Sequence, residues 1–298
     1  MSTQPKATDW FLIAIPGLIW GSSFLFIAEG LDAVGPTGVT AIRLLVGFAT
    51  LACFPAAWKP VERKDWGGIA AVAILWMAFP LSMFPFAEQR VSSALTGMLN
   101  GGVPLSTAIV ASLLARRFPS RGILIGLGVG MLGAVFIALP ALDEGRSSVE
   151  GVLMILAAVI SYGVALNVAR PLQQKYGGIP VIWRAQGIAM LITTPLGAGD
   201  VLAAHWSMIP ALSLLALGAG GTAIAFIVMT AAAGRFGATR ASSATFLMPP
   251  VALLLGLTLR HERVELLSVL GGAVCLAGAW LMARAQHEHS APTPKEAK

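Results

Sequence analysis

The sequence predicts an all-α membrane protein of ten transmembrane helices arranged as two inverted five-helix repeats, and three observations carry that prediction. Of 298 residues, 56% are hydrophobic and 11% charged, with a mean hydropathy of +0.79. That leaves too little polar surface to wrap a soluble globule. The chain also divides, at its charges and its Gly/Pro punctuation, into apolar pieces of bilayer-spanning length. Finally, short motifs of the first half recur in order in the second.

A spanning helix needs roughly 20 mostly apolar residues at about 1.5 Å each. The first expected span, 10–28, ends at Glu29 and looks like a retained helix, because no small-residue cleavage site follows it. Span 38–57 opens after Gly35-Pro36 and stops before Lys59-Pro60. Span 66–87 lies between Asp65 and Glu88, and 91–115 between Arg90 and Arg116. Span 122–139 follows Arg121 and stops at Pro140, while 151–169 lies between Glu150 and Arg170. Span 179–196 is expected to end where Pro195, Gly197 and Gly199 interrupt the pattern; 210–233 follows at Pro210. Spans 241–259 and 266–283 are set off by Arg240, Arg260, Glu265 and Arg284. The repeats are then 1–145 and 146–284, and the polar tail 285–298, with Pro292 and Pro294, reads as disordered.

Orientation follows from Lys and Arg, which cytoplasmic loops retain. With the N-terminus inside, 14 of the 20 basic residues fall on inside segments and 4 on outside ones; Arg43 and Arg184 lie within spans. Both termini are therefore expected in the cytoplasm of a bacterial inner membrane. The formal charge of +6 has the same topological origin, so no nucleic-acid partner is expected. The expected partners are the bilayer and a small-molecule substrate, with the chain acting as a monomer.

The internal match is extended. Arg90-Val-Ser-Ser-Ala94 recurs as Arg240-Ala-Ser-Ser-Ala244, Pro104 corresponds to Pro250, and the glycines from Gly126 to Gly133 correspond to those from Gly271 to Gly278. Trp20-Gly21 matches Tyr162-Gly163, and Arg43 matches Arg184. Since each half carries an odd number of helices, the second copy enters the membrane in the opposite sense. Secondary transporters use such pairs to place a substrate site near the midplane.

Trp20-Gly-Ser-Ser-Phe24, Ala41-Ile-Arg43, Arg90-Val-Ser-Ser-Ala94 and the stretch from Pro250 to Arg260-His-Glu-Arg263 resemble the EamA-type branch of the drug/metabolite transporter superfamily. Within that branch the chain is most similar in look to YddG-type exporters of aromatic and other amino acids. The resemblance implies ten helices, a central cavity between the halves, and the fifth and tenth helices at the periphery. One departure stands out. The family often carries a Glu-Arg pair after the fourth helix as well as the ninth, and here Arg116-Arg117 occupies the first position.

No motif points to catalysis. Gly128-x-Gly130-x-x-Gly133 spells a dinucleotide fingerprint but has no preceding strand and no acidic partner, so it reads as a packing face. Ser22 and Ser23 lack a base within a span. The four histidines fall in or beside loops and give no metal-ligating pair, while Cys53 and Cys275 pack as small hydrophobes. No cofactor or metal is expected.

The expected substrate-binding residues are Trp20, Ser23, Phe24, Trp76, Phe79, Tyr162 and Met248, which suit an amphipathic or zwitterionic metabolite. Trp20 and Tyr162 both fall some 15–18 Å into a core about 30 Å thick. The glycine after each is expected to let the substrate approach. Arg43 and Arg184 are candidates for gating or charge pairing, against snorkelling to headgroups. No Asp or Glu lies at mid-depth; Glu29, Asp32 and Glu88 sit at helix ends. This favours facilitated diffusion, or coupling through a terminal acid. The reading is export of small metabolites, amino acids foremost, by alternating access. The rival is an integral-membrane enzyme or helper subunit acting on lipid or lipid-linked sugar.

Overall fold

A computed structural model describes residues 7–116, 120–143, 146–236 and 242–290, and among these every regular element is helical. The expectations placed on Lys6, Arg117, Arg240, Lys295, Lys298 and 291–298 lie outside the described residues. Helix α1 (Ala7–Leu31) turns into α2 (Pro36–Ala52), which starts where Gly35 is extended and Pro36 takes the first helical turn. Helices α3 (Trp66–Val72) and α4 (Phe79–Glu88) are joined by a π segment, Ala73–Ala78, into one rod. Helices α5 (Ser93–Asn100) and α6 (Val103–Ala115) follow one another across Gly101 and Gly102. Then come α7 (Arg121–Asp143), α8 (Arg146–Tyr176) and α9 (Gly178–Leu202). A second π segment, Ala216–Ile224, joins α10 (Met208–Leu215) to α11 (Ala225–Phe236). A 3-10 turn, Ser242–Leu247, leads into α12 (Met248–Leu259), and α13 (Leu266–Ser290) ends the described chain.

Among the described residues, six helical stretches are long and apolar enough to cross a bilayer: Ala14–Leu31, Arg63–Glu88, Ser93–Ala115, Arg121–Pro140, Ser148–Tyr176 and Met208–Ala232. Pro36–Ala52, Ala244–Leu259 and Leu266–Leu281 are shorter apolar helices. Several boundaries differ from expectation for local reasons. Pro195, Gly197 and Gly199 do not end α9; a Cβ at Gly197 would stand 2.5 Å from the Thr37 carbonyl oxygen, so that glycine is there for close contact with α2. Helix α2 stops at Ala52, which leaves Cys53 exposed at its end rather than inside a span. Helix α13 continues to Ser290, into the segment expected to be disordered.

Small residues set the packing, as they must where lipid gives helices no hydrophobic reason to associate. Helices α7 and α13 meet backbone to backbone: a Cβ at Gly133 would lie 2.3 Å from the Cys275 nitrogen, and one at Gly278 only 2.2 Å from the Gly130 nitrogen. Gly21 brings α1 against Val251 of α12, and Gly163 brings α8 against Ser106 of α6, with Cβ distances of 2.6 and 2.2 Å. The glycines beside Trp20 and Tyr162 are thus filled by neighbouring helices, not left open for substrate.

The connections gather at opposite ends. At one, the His205 amide donates to the Ala33 carbonyl (3.0 Å), Arg260 reaches Glu29 (3.1 Å) and Asp32 (2.6 Å), and Asp200 accepts from the Gly38 amide (3.1 Å). At the other, Lys175 holds Asp65 and Glu62, both at 2.8 Å. There Arg184 donates to the carbonyls of Ala57 (3.0 Å) and Lys59 (2.8 Å), a cation on the open carbonyls of the 3-10 turn that follows α2.

Candidate functional site

Two short columns of rings cross the middle of the bundle. In the first, Phe226 of α11 meets Trp20 of α1 edge-on at 5.4 Å between centroids and Trp76 of the first π segment at 5.6 Å. In the second, Phe84 of α4 meets Phe24 of α1 at 5.7 Å and Tyr162 of α8 at 5.9 Å. Edge-on contacts are a favoured arrangement for aromatic quadrupoles. Trp20 Nε1 donates to the Gly221 carbonyl at 3.0 Å, which fixes the indole against the second π segment. Phe24 and Phe84 are buried, whereas Trp20, Trp76, Tyr162 and Phe226 remain half-buried.

Four of the expected binding residues, Trp20, Phe24, Trp76 and Tyr162, therefore come together in these columns. Ser23 is buried beside Gly221, with its hydroxyl bonded back to the Ile19 carbonyl at 3.0 Å. Met248 is buried in the first turn of α12, where its carbonyl touches the Gly21 position. Phe79 is not brought in: it is 39% exposed on the outer surface. The reason is the π segment directly before it. A wider turn breaks the three-residue spacing that would otherwise put Phe79 on the face of Trp76.

Arg43 and Arg184 separate. Arg184 serves the helix-end carbonyls already described and lies 5.5 Å from the Trp183 ring. Arg43 is 6% exposed inside the bundle, where its Nε donates to Thr222 Oγ1 at 2.8 Å. Thr222 lies in the second π segment; its hydroxyl donates to the Leu217 carbonyl at 3.0 Å, and its own carbonyl accepts from Gln186 Nε2. Arg43, Thr222 and Gln186 form one buried polar knot between α2, α9 and the π segment. The widened helical turn supplies it with carbonyl oxygens. The sequence reading did not name Thr222, Gln186, Phe84 or Phe226. The two phenylalanines stood in apolar runs without distinction, and Gln186 is the lone amide amid the apolar run of α9.

Above the second column, a cavity of about 280 Å³ opens between α1, α4, α5 and the connection after α12. Asp32, Glu88, Ser92, Ser93, Arg260 and Glu262 line it. Glu262, the acid of the motif at 260–263, caps α5. Its Oε1 accepts from the Ser93 amide (3.0 Å) and hydroxyl (2.8 Å), and its Oε2 from the Ala94 amide (2.9 Å). A carboxylate at a helix N-terminus satisfies otherwise open N–H groups and meets the positive end of the helix dipole.

Comparison with known proteins agrees with this architecture. The chain is 28% identical over 266 residues to the uncharacterized transporter YdfC of Bacillus subtilis (strain 168), covering 87% of this chain and 86% of that one. It is 26% identical over 278 residues to a probable terminal-alkyne amino-acid exporter of Streptantibioticus cattleyicolor, covering 92% and 93%. The inner membrane transporter YedA of Escherichia coli (strain K12), also uncharacterized, is 24% identical over 255 residues, covering 83% and 81%. A solved crystal structure 17% identical in sequence superposes with a TM-score of 0.63 over 96% of this chain and all of the other, a likeness of fold. The model of the EamA-like transporter family matches residues 10–139 and again 149–284. The chain belongs to the EamA-like transporter family, as a multi-pass membrane transporter and not an enzyme.

Proposed function

We propose that the protein exports small neutral or amphipathic metabolites, amino acids foremost, through a site framed by the two ring columns, by alternating access of two inverted five-helix repeats. The observation that carries this reading is a pair of contacts. Trp20 packs on Phe226 and Tyr162 packs on Phe84, and both members of the second pair are displaced from the first by 142 residues. A first-half ring on a second-half ring is thus mirrored by a second-half ring on a first-half ring. The π segments Ala73–Ala78 and Ala216–Ile224 fall at a similar displacement, as do the glycine contacts of α1 with α12 and of α8 with α6. The twofold match of the family model to the chain supports the same duplication.

On this reading ten rods cross the membrane. They are the six long apolar stretches together with Pro36–Ala52, Gly178–Leu202, the α12 helix with its leading 3-10 turn, and α13. Half-buried aromatic faces offer broad apolar contact with a polar edge, which suits an amino acid side chain better than an ion. The relative named as an amino-acid exporter favours that substrate class. The protein works in a bacterial inner membrane as a monomer with both termini in the cytoplasm, following the distribution of Lys and Arg.

The test is reconstitution in liposomes preloaded with labelled neutral amino acids, nucleosides or sugars. Release of one or more amino acids above empty liposomes, lost when Trp20 and Tyr162 are replaced together by alanine, supports the proposal. Release of only another class, or release indifferent to both rings, refutes the assigned substrate or site.

A further inference from the structure

Glu88 is an acidic residue that the transport reading leaves without a task. It ends α4 beneath the cavity of about 280 Å³, and both of its carboxylate oxygens are closed off from solvent with no hydrogen-bond partner. The residue as a whole still lines the cavity, so what exposure it keeps comes from its other atoms. An ionised carboxylate in that position bears a heavy desolvation penalty with nothing to offset it, and such groups neutralise by binding a proton.

The surrounding charges explain why no cation relieves it. From α2, Arg43 acts on Glu88 through space, but its Nε is taken by Thr222. From the connection after α12, Arg260 is held by Glu29 of α1 and by Asp32 just beyond its end, and Glu262 faces Glu88 with like charge. Tyr162 of α8 packs on Phe84, four residues before Glu88 on the same helix, and the start of α5 presents the hydroxyls of Ser92 and Ser93 to the cavity. The two carboxyls therefore divide their roles by environment. Glu262 accepts three hydrogen bonds, an arrangement that suits a carboxylate. Glu88 accepts none and sits beside that negative charge. A buried carboxyl without a partner and a hydrogen-bonded carboxylate, both lining one cavity of about 280 Å³, are the elements of a proton-exchange site.

We propose that Glu88 binds an exchangeable proton, released and taken up through the cavity above it, and that it is the residue through which substrate movement is coupled to protons. Its role in coupling rests on the transporter reading; its protonation rests on its surroundings alone. The first experiment therefore needs no substrate. Infrared spectra of the full-length protein in lipid nanodiscs are recorded at neutral and alkaline pH, in H2O and in D2O. The expected result is the carbonyl stretch of a protonated carboxyl at neutral pH, shifted in D2O and weakened at alkaline pH. It is absent from Glu88→Gln and present in Glu262→Gln. Glutamine mimics the neutral acid in shape, so Glu88→Gln is expected to fold and to melt as the wild type does. No such band in the wild type, a band unchanged in Glu88→Gln, or a band insensitive to D2O overturns the proposal. A second experiment follows the internal pH of liposomes loaded with a mixture of neutral amino acids. Wild-type efflux accompanied by proton movement, with Glu88→Gln giving efflux without it, supports the coupling. Wild-type efflux without proton movement overturns the coupling and leaves the transporter reading intact. Absence of any efflux alongside the expected infrared band counts against the amino-acid reading, not against the proton on Glu88.

Discussion

Replacing Glu262 by alanine tests whether the acid of the motif at 260–263 holds α5 in place. The change removes an acceptor for the Ser93 amide and hydroxyl and for the Ala94 amide, at 3.0, 2.8 and 2.9 Å. The helix end is not left bare, because Ser92 Oγ accepts from the Leu95 amide at 3.2 Å. Losing a good N-terminal cap costs about 0.5–2 kcal/mol, and losing a negative charge at the positive end of the helix a further ~0.3–1 kcal/mol. Water in the cavity recovers part of this, so the net expectation is about 2 kcal/mol. For a chain of this size each kcal/mol shifts the melting temperature by about 2 °C, which places the variant about 4 °C below wild type. Glu262→Gln keeps an acceptor oxygen without the charge and is expected about midway. The assay is thermal unfolding of purified protein in nanodiscs, followed by tryptophan fluorescence. A Glu262→Ala protein that melts with the wild type refutes the capping argument.

Other consequences are equally open to measurement. Trp20→Ala and Tyr162→Ala each remove one ring contact, worth ~0.5–1.5 kcal/mol between aromatic pairs. If the rings also meet the substrate, the apparent affinity in liposome efflux falls about tenfold; unchanged affinity with normal folded yield makes them packing residues. Gly278→Ala places a Cβ 2.2 Å from the Gly130 nitrogen and should cost about 1–3 kcal/mol by overpacking. Gly128→Ala, whose Cβ would meet nothing within 4 Å, should cost nothing measurable. Hydrogen bonds from Lys175, and secondarily Lys64, hold the exposed Glu62 carboxyl down to about 2 from its ordinary 4.5. Stability from that contact is present above the ordinary value and lost as pH falls through the folded one, so Lys175→Met should flatten the melting temperature over that window, most clearly at low salt. In a Cys53→Ser background, a cysteine at Ser290 should escape an impermeant thiol reagent in intact cells and react after lysis. Labelling in intact cells contradicts the topology.

The sequence carried the all-helical class and the long apolar stretches, because apolar run length and charge placement decide where a helix can lie in lipid. Trp20 and Tyr162 stood out in it because each precedes a glycine, and each meets a phenylalanine of the other half in the structure. What it could not carry was rotational phase. Phe79 and Phe84 stand on one rod, yet a π segment just before Phe79 turns it outward while Phe84 reaches Tyr162. A π turn leaves no mark that distinguishes it from an ordinary apolar run. Glu88 was legible as a helix-end acid, but its burial depends on how α1, α5 and the connection after α12 close over it, which is a property of packing. Arg184 looked equivalent to Arg43 by position; the 3-10 turn beyond α2 gave it carbonyls to serve near the surface, whereas Arg43 met Thr222 inside.

The claim at the centre of this account is that a small solute crosses between the two halves at the paired rings. The most direct measurement is efflux of labelled neutral amino acids from liposomes containing the wild type, Trp20→Ala, Tyr162→Ala or the double variant, each normalised to folded protein. The account predicts wild-type efflux, weakened apparent affinity in both single variants to a similar degree, and little or no efflux in the double. Wild-type liposomes that release no amino acid, or a double variant that transports as well as the wild type, would contradict it.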